Sequence, residues 1–126
     1  FVSPSQVKIQ EELREFLKDH HLNFSECESL AEVIADADVL YVTRVKKEYM
    51  TEELYNQIQG KYIIDKKIVE QMKKKSIIMH PFPRLGEIAV EVDQDIRAVY
   101  IREQMKNGMY TRMALLASVL LPEIHI

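Results

Sequence analysis

Ser76-Ile77-Ile78-Met79-His80-Pro81-Phe82-Pro83-Arg84 sets a short apolar run directly against a loop with two prolines. The first four residues predict a buried strand, and the prolines predict where it stops. Proline fixes φ, lacks a backbone donor and pushes the preceding residue out of the helical region. Such a loop is stiff, and its carbonyl oxygens are not consumed by a ladder. It is also where a cis peptide bond costs least. In an open α/β sheet, ligands bind outside the carboxyl ends of the strands, which makes this loop a candidate site. Without chemistry, the same residues are simply a strand ending in a loop.

Upstream, Val39-Leu40-Tyr41-Val42 is a continuous apolar run of strand-forming residues. It predicts a strand buried on both faces, as in a parallel sheet. Its exit is Thr43-Arg44-Val45-Lys46-Lys47-Glu48. Strands of one parallel sheet end on the same edge, so this exit and residues 80–84 can converge. An arginine there offers a planar fork that matches a carboxylate or a phosphate. Most charged loop residues are merely solvated, so Arg44 is a candidate ligand-binding residue and no more at this point.

The remaining chain alternates helices with extended pieces. Phe1-Val2-Ser3 reads as a strand end, and Pro4 starts a helix with an apolar side of Val7, Ile9, Leu13, Phe16 and Leu17. His20 and His21 fall at its end, where they suit the helix dipole. As neighbours they point different ways, and no further ligand at metal-binding spacing supports them. Leu22 to Phe24 predicts a short strand. Ser29 and Glu32 have capping-box spacing and open a short helix. Thr51 and Asp65 are caps for two further helices, one ended by Gly60 and the other by Lys73-Lys74-Lys75. Residues 87–95 read as loop or strand. A long helix is predicted over 101–121, ended by Pro122 and weakened at Asn107-Gly108. It is apolar nearly all round, so it needs cover from a second domain or partner. This alternation predicts an α/β fold: a three-layer open parallel sheet flanked by helices.

Composition narrows the functional classes. A chain of 126 residues is one domain or part of one. The net charge of −3 leaves no basic footprint for nucleic acid. No apolar run approaches the roughly 20 residues of a membrane span. The three glycines do not fall in a dinucleotide or phosphate-loop spacing. Cys27 is the single cysteine, which excludes an internal disulfide and points to a reducing compartment such as the cytoplasm.

Ala37-Asp38-Val39-Leu40-Tyr41-Val42-Thr43-Arg44-Val45, His80-Pro81-Phe82-Pro83-Arg84, Glu87-Ile88, Asn107-Gly108-Met109-Tyr110 and Arg112-Met113-Ala114-Leu115-Leu116 stand in an informative order. In that order the chain resembles the aspartate-binding domain of aspartate carbamoyltransferases, nearly end to end. The sister ornithine carbamoyltransferases typically carry His-Cys-Leu-Pro at the loop and a Ser-Met-Gly motif upstream. Here Pro81 follows His80 and no Ser-Met-Gly occurs.

The resemblance implies transfer of a carbamoyl group from carbamoyl phosphate to L-aspartate in de novo pyrimidine biosynthesis. It implies that Arg44 and Lys46 bind aspartate. The backbone carbonyls of Pro81 and Phe82 would be the catalytic groups that orient the amine and the carbamoyl group. Pro83 would complete the substrate-binding loop, with a cis bond between Phe82 and Pro83. No metal or organic cofactor is implied. Three departures stand out: Lys46 where the family has glutamine, Tyr49 where it commonly has arginine, and one extra residue between Tyr100 and Asn107.

The family's preceding carbamoyl-phosphate domain, with its Ser-Thr-Arg-Thr motif and histidine, has no counterpart here. The first strand–helix unit of the aspartate domain is also without one. Residues 1–126 are therefore expected to be a partial aspartate-binding domain, inactive alone, with helix 101–121 packing on the missing domain. The resemblance further implies a homotrimer of the full-length chain. The alternative is a non-catalytic binding or assembly module derived from the same fold.

Overall fold

The computed structural model describes residues 1–45, 47 and 50–121. Its centre is a parallel pair, β1 (Val39–Tyr41) and β2 (Ile77–Met79), with Leu40 opposite Ile78. The described residues form four α-helices besides it: α1 (Glu11–Asp19), α2 (Glu52–Ile58), α3 (Lys66–Gln71) and α4 (Met105–Leu120). Further parallel bridges widen the extended layer, joining Ile78 to Ala98 and Ile64 to Ile88. The architecture is α/β. Its core runs through Ile34, Val42, Ile64, Val69, Ile78, Ile88, Val92 and Ala98, all almost fully buried.

Local signals account for α2 and α3. Thr51 Oγ1 accepts from the Leu54 N–H at 3.3 Å, and Asp65 Oδ1 accepts from the Ile68 N–H at 2.9 Å. Each satisfies one of the donors a helix start leaves orphaned. Gly60 follows α2 at φ 84, a conformation that side chains disfavour.

Several expectations are corrected. The helix expected from Pro4 is broken into a 3-10 turn (Ser5–Val7) and α1, with Lys8 and Gln10 extended between them. The Ile9 N–H is taken by the Glu26 carboxylate at 3.3 Å, and Arg14 holds the same carboxylate at 2.7 Å. A contact from distant sequence thus removes a donor the helix needed. The strand expected at Leu22 to Phe24 joins no ladder; Val2 bridges to Cys27 instead. Ser29 precedes only a 3-10 turn (Leu30–Glu32), and its side chain makes no capping bond. The helix α3 stops at Gln71, short of the three lysines, and Lys73 reaches Asp38 at 2.8 Å.

β1 is not buried on both faces. Val39 and Tyr41 are 53% and 54% exposed. Among the described residues only β2 pairs with β1. Its other edge borders a cavity of about 570 Å³ whose far wall includes Phe1, Val2, Ser3 and Pro4.

The long C-terminal helix is present, but its irregularity lies earlier than Asn107-Gly108. A π-helical turn (Tyr100–Gln104) leads into α4, and Gly108 sits in regular helix. A π turn accommodates an extra residue within a helix, and this one lies in the stretch where the resemblance implies an extra residue. Pro122 lies outside the described residues. On α4, Met109, Met113, Leu116 and Leu120 are all more than half exposed. Among the described residues no helix is long and apolar enough to cross a membrane.

The edge of β2 opposite β1 depends on Arg97. Its carbonyl accepts the Ile78 N–H at 2.7 Å, while its guanidinium grips Asp95 through two bonds of 2.8 Å and the Met72 carbonyl at 3.1 Å. Hydrogen bonds from Arg97 pull the Asp95 carboxyl down from 3.8 to about 2. A depressed carboxylate stabilises the fold above its unfolded pKa, and that contribution disappears as pH falls through the folded value. Asp95→Asn is expected to cost on the order of 1 kcal/mol at pH 6, after allowance for solvent screening. In urea titrations the gap between wild type and variant should close between pH 4 and pH 2. A gap unchanged across that window would refute the linkage.

Candidate functional site

The site begins where β1 and β2 end. The Val42 N–H donates to the Met79 carbonyl at 2.9 Å, which carries the pairing one residue beyond β1. Thr43, Arg44 and Val45 then leave on the same edge as residues 80–84. Arg44, partly buried, lines a cavity of about 270 Å³ with Tyr55, Tyr62, Leu85, Gly86 and Glu87. The cavity therefore joins the Arg44 exit to the tail of the proline loop, while residues 80–84 lie outside its lining. Lys46 and Tyr49, where the resemblance implies departures from the family pattern, lie outside the described residues.

The loop is held from below. His80 is 1% exposed. Its backbone N–H donates to Gln104 Oε1 at 2.9 Å, which ties the loop to the π turn. Its ring takes the Phe82 N–H on Nδ1 at 2.9 Å and meets Glu87 Oε1 through Nε2 at 2.6 Å. The other Glu87 oxygen accepts the Leu85 N–H at 3.0 Å. The Phe82–Pro83 bond is cis, and Phe82 itself sits at φ 52. That left-handed conformation costs a bulky residue about 1–3 kcal/mol and persists only where the surroundings enforce it. The rings of His80 and Tyr100 flank Phe82, with centroids at 5.5 and 5.9 Å. Pro81 and Pro83 are exposed. Among the described residues no donor reaches the carbonyl oxygen of Pro81 or Phe82.

Arg84 closes the far end. Its guanidinium grips both oxygens of Asp93, and the Tyr100 hydroxyl donates to the same carboxylate at 2.6 Å. Hydrogen bonds from Arg84 lower the Asp93 carboxyl below its usual range, against the upward push of burial. Burial, followed by the bond to Asp93, raises the Tyr100 phenol. Arg84 is therefore an internal fastener of the loop. Sequence reading missed Asp93 and gave Glu87 and Tyr100 no role. Nine residues separate Asp93 from Arg84 and seven separate Glu87 from His80, and no local periodicity links either pair.

Among the described residues the geometry brings Arg44 and the two carbonyls of Pro81 and Phe82 to one sheet edge. Residues 1–119 match the family of the Asp/Orn binding domain of aspartate/ornithine carbamoyltransferases. The chain belongs to this family. The chloroplastic aspartate carbamoyltransferase of Oryza sativa subsp. japonica is 47% identical over 122 residues, covering 95% of this chain and 33% of that protein. The catalytic subunit of M. jannaschii aspartate transcarbamoylase superimposes with a TM-score of 0.83 at 40% identity, covering 95% of this chain and 39% of that one. Aspartate transcarbamoylase from Trypanosoma cruzi, solved with carbamoyl phosphate and aspartate, gives a TM-score of 0.73 at 37% identity, covering 86% and 35%. The chain thus spans about a third of the length of these relatives.

Proposed function

We propose that this chain is the aspartate-binding part of a carbamoyltransferase acting on L-aspartate. The amine of aspartate attacks the carbonyl carbon of carbamoyl phosphate, the C–O bond to phosphate breaks, and N-carbamoyl-L-aspartate and phosphate leave. This is the reaction the resemblance assigns to de novo pyrimidine biosynthesis. The carrying observation is that Arg44 and the undonated carbonyls of Pro81 and Phe82 leave adjacent parallel strands on one edge. In this reading the Arg44 fork binds a carboxylate of aspartate, and Lys46 contributes a second contact. The Pro81 and Phe82 carbonyls accept hydrogen bonds from the attacking amine and the carbamoyl NH2, with Pro83 fixing the corner. An amine attacking a polarised carbonyl needs placement and charge stabilisation above all, and a stiff carbonyl loop supplies placement.

The reading also assigns the uncovered surfaces. The edge of β1 that is unpaired among the described residues, with its cavity of about 570 Å³, suits a further parallel strand, the first strand–helix unit of the domain. The apolar circumference of α4 suits packing on a carbamoyl-phosphate domain. A homotrimer of the full-length chain is the assembly proposed. The cytoplasm is the compartment proposed from the lone Cys27; the rice relative is chloroplastic by its name.

Assayed alone with carbamoyl phosphate and aspartate, residues 1–126 are expected to give no turnover above a buffer blank. Co-expression with an amino-terminal carbamoyl-phosphate domain is expected to produce carbamoyl aspartate. Turnover by the isolated chain would overturn the partial-site proposal. Silence of the assembled protein, with aspartate still bound, would favour the non-catalytic module that Lys46 and Tyr49 suggest.

A further inference from the structure

The groups that hold the proline loop form a connected path from the extended layer to Phe82. The Ile64 N–H donates to the Glu87 carbonyl at 2.8 Å, and Ile64 bridges to Ile88. Glu87 is thereby anchored in the extended layer on one side of the loop. Its carboxylate, 10% exposed, spans His80 Nε2 and the Leu85 N–H. His80 in turn accepts the Phe82 N–H on Nδ1. A backbone N–H can only donate, so Nδ1 is the acceptor and the imidazole proton sits on Nε2, directed at Glu87. Each member thus has one arrangement that satisfies its neighbours. The last member is the residue at φ 52, whose conformation sets where the peptide carbonyls on either side of it point.

We propose that Glu87 and His80 are positioning residues for carbamoyl transfer, fixing the Phe82 backbone and with it the Pro81 and Phe82 carbonyls. This rests on the transfer reading above. A buried His–carboxylate pair is not needed for stability alone, because apolar residues of similar volume commonly serve that purpose as well. Here the two carboxylate oxygens meet the His80 ring and the Leu85 N–H, the other ring nitrogen takes the Phe82 N–H, and the end of the path is the loop's left-handed residue. Glu87 also lines the Arg44 cavity, so the same side chain ties the fork's pocket to the carbonyl loop.

The test uses the full-length enzyme that carries this segment. In Glu87→Gln one acceptor oxygen remains, enough for either the His80 ring or the Leu85 N–H. In Glu87→Ala neither is served. kcat is expected to fall about 10-fold in Glu87→Gln and about 100-fold in Glu87→Ala, the scale of a misplaced reacting group. KM for carbamoyl phosphate should stay within about twofold, because its phosphate is held elsewhere. Arg97→Met removes the Asp95 grip away from the loop and should lower stability with kcat kept, separating positioning from folding. The imidazole 15N spectrum reads the path directly: wild type should show a protonated Nε2 and a bare Nδ1, and Glu87→Ala a mixture. An active wild type whose Glu87→Ala variant keeps kcat within about twofold overturns the positioning role alone. A wild-type ring protonated on Nδ1 overturns it too. An inert wild-type enzyme overturns the transfer reading itself.

Discussion

Arg44→Ala, made in the full-length enzyme, is expected to raise KM for aspartate by about 100-fold. Truncating one partner of a desolvated, hydrogen-bonded charge pair costs about 2–5 kcal/mol, and about 2.7 kcal/mol is a factor of about 100. Arg44 lies three residues beyond β1, partly buried, and lines the cavity reached by Leu85, Gly86 and Glu87. A carboxylate bound there would have protein on several sides, where a charge pair is stronger than in open water. Arg44→Lys keeps the charge and loses the fork, so it should recover only part of the loss. Steady-state kinetics with aspartate varied at saturating carbamoyl phosphate measure both variants. An Arg44→Ala enzyme with wild-type KM would remove the arginine from the site and leave the carbonyl loop as its only support.

Asp93→Ala is expected to destabilise the chain by about 3 kcal/mol. The substitution strands the Arg84 guanidinium and the Tyr100 hydroxyl together, and Tyr100 is fully buried. Leaving a buried polar group unsatisfied costs about 1–3 kcal/mol, and an uncompensated buried charge costs more. Against a typical total stability of about 5–15 kcal/mol, that is a large fraction. Urea unfolding followed by circular dichroism measures it. The triple variant Arg84→Met/Asp93→Leu/Tyr100→Phe removes both charges and the hydroxyl they hold and should recover most of the loss, because a buried polar cluster replaced by apolar groups is often neutral. If Asp93→Ala unfolds at the wild-type midpoint, the triad does not fasten the loop.

What could be read in advance follows the range of each physical cause. Thr51 and Asp65 act within three residues, and both caps are where their spacing places them. Proline geometry is equally local, and the loop after β2 has the stop and the cis bond expected of it. Pro4 misled because its helix signal was local while the Glu26 carboxylate that breaks it comes from 17 residues away. The burial of β1 misled for a related reason. An apolar run reports that a strand wants cover, and Val39 and Tyr41 show that the described residues cover only part of it. Lys73, expected at a helix end, pairs with Asp38 across 35 residues.

The candidate site divides in the same way. Arg44, Pro81, Phe82 and Pro83 stand out along the chain because strand ends and prolines mark them. Glu87, Asp93 and Tyr100 do not, because a carboxylate bears no mark of the donor it will meet. By itself the sequence determined the two strands, their parallel exits and the stiff corner, consequences of backbone sterics and short-range periodicity, and it carried the ordered motifs by which the chain resembles its family. Only the tertiary structure decided that Glu87 meets His80, that Asp93 joins Arg84 to Tyr100, and that Phe82 is held at φ 52. Those pairings exist because folding brings separated polar groups into a desolvated space, where each must find a partner or lose the hydrogen bonds water gave it.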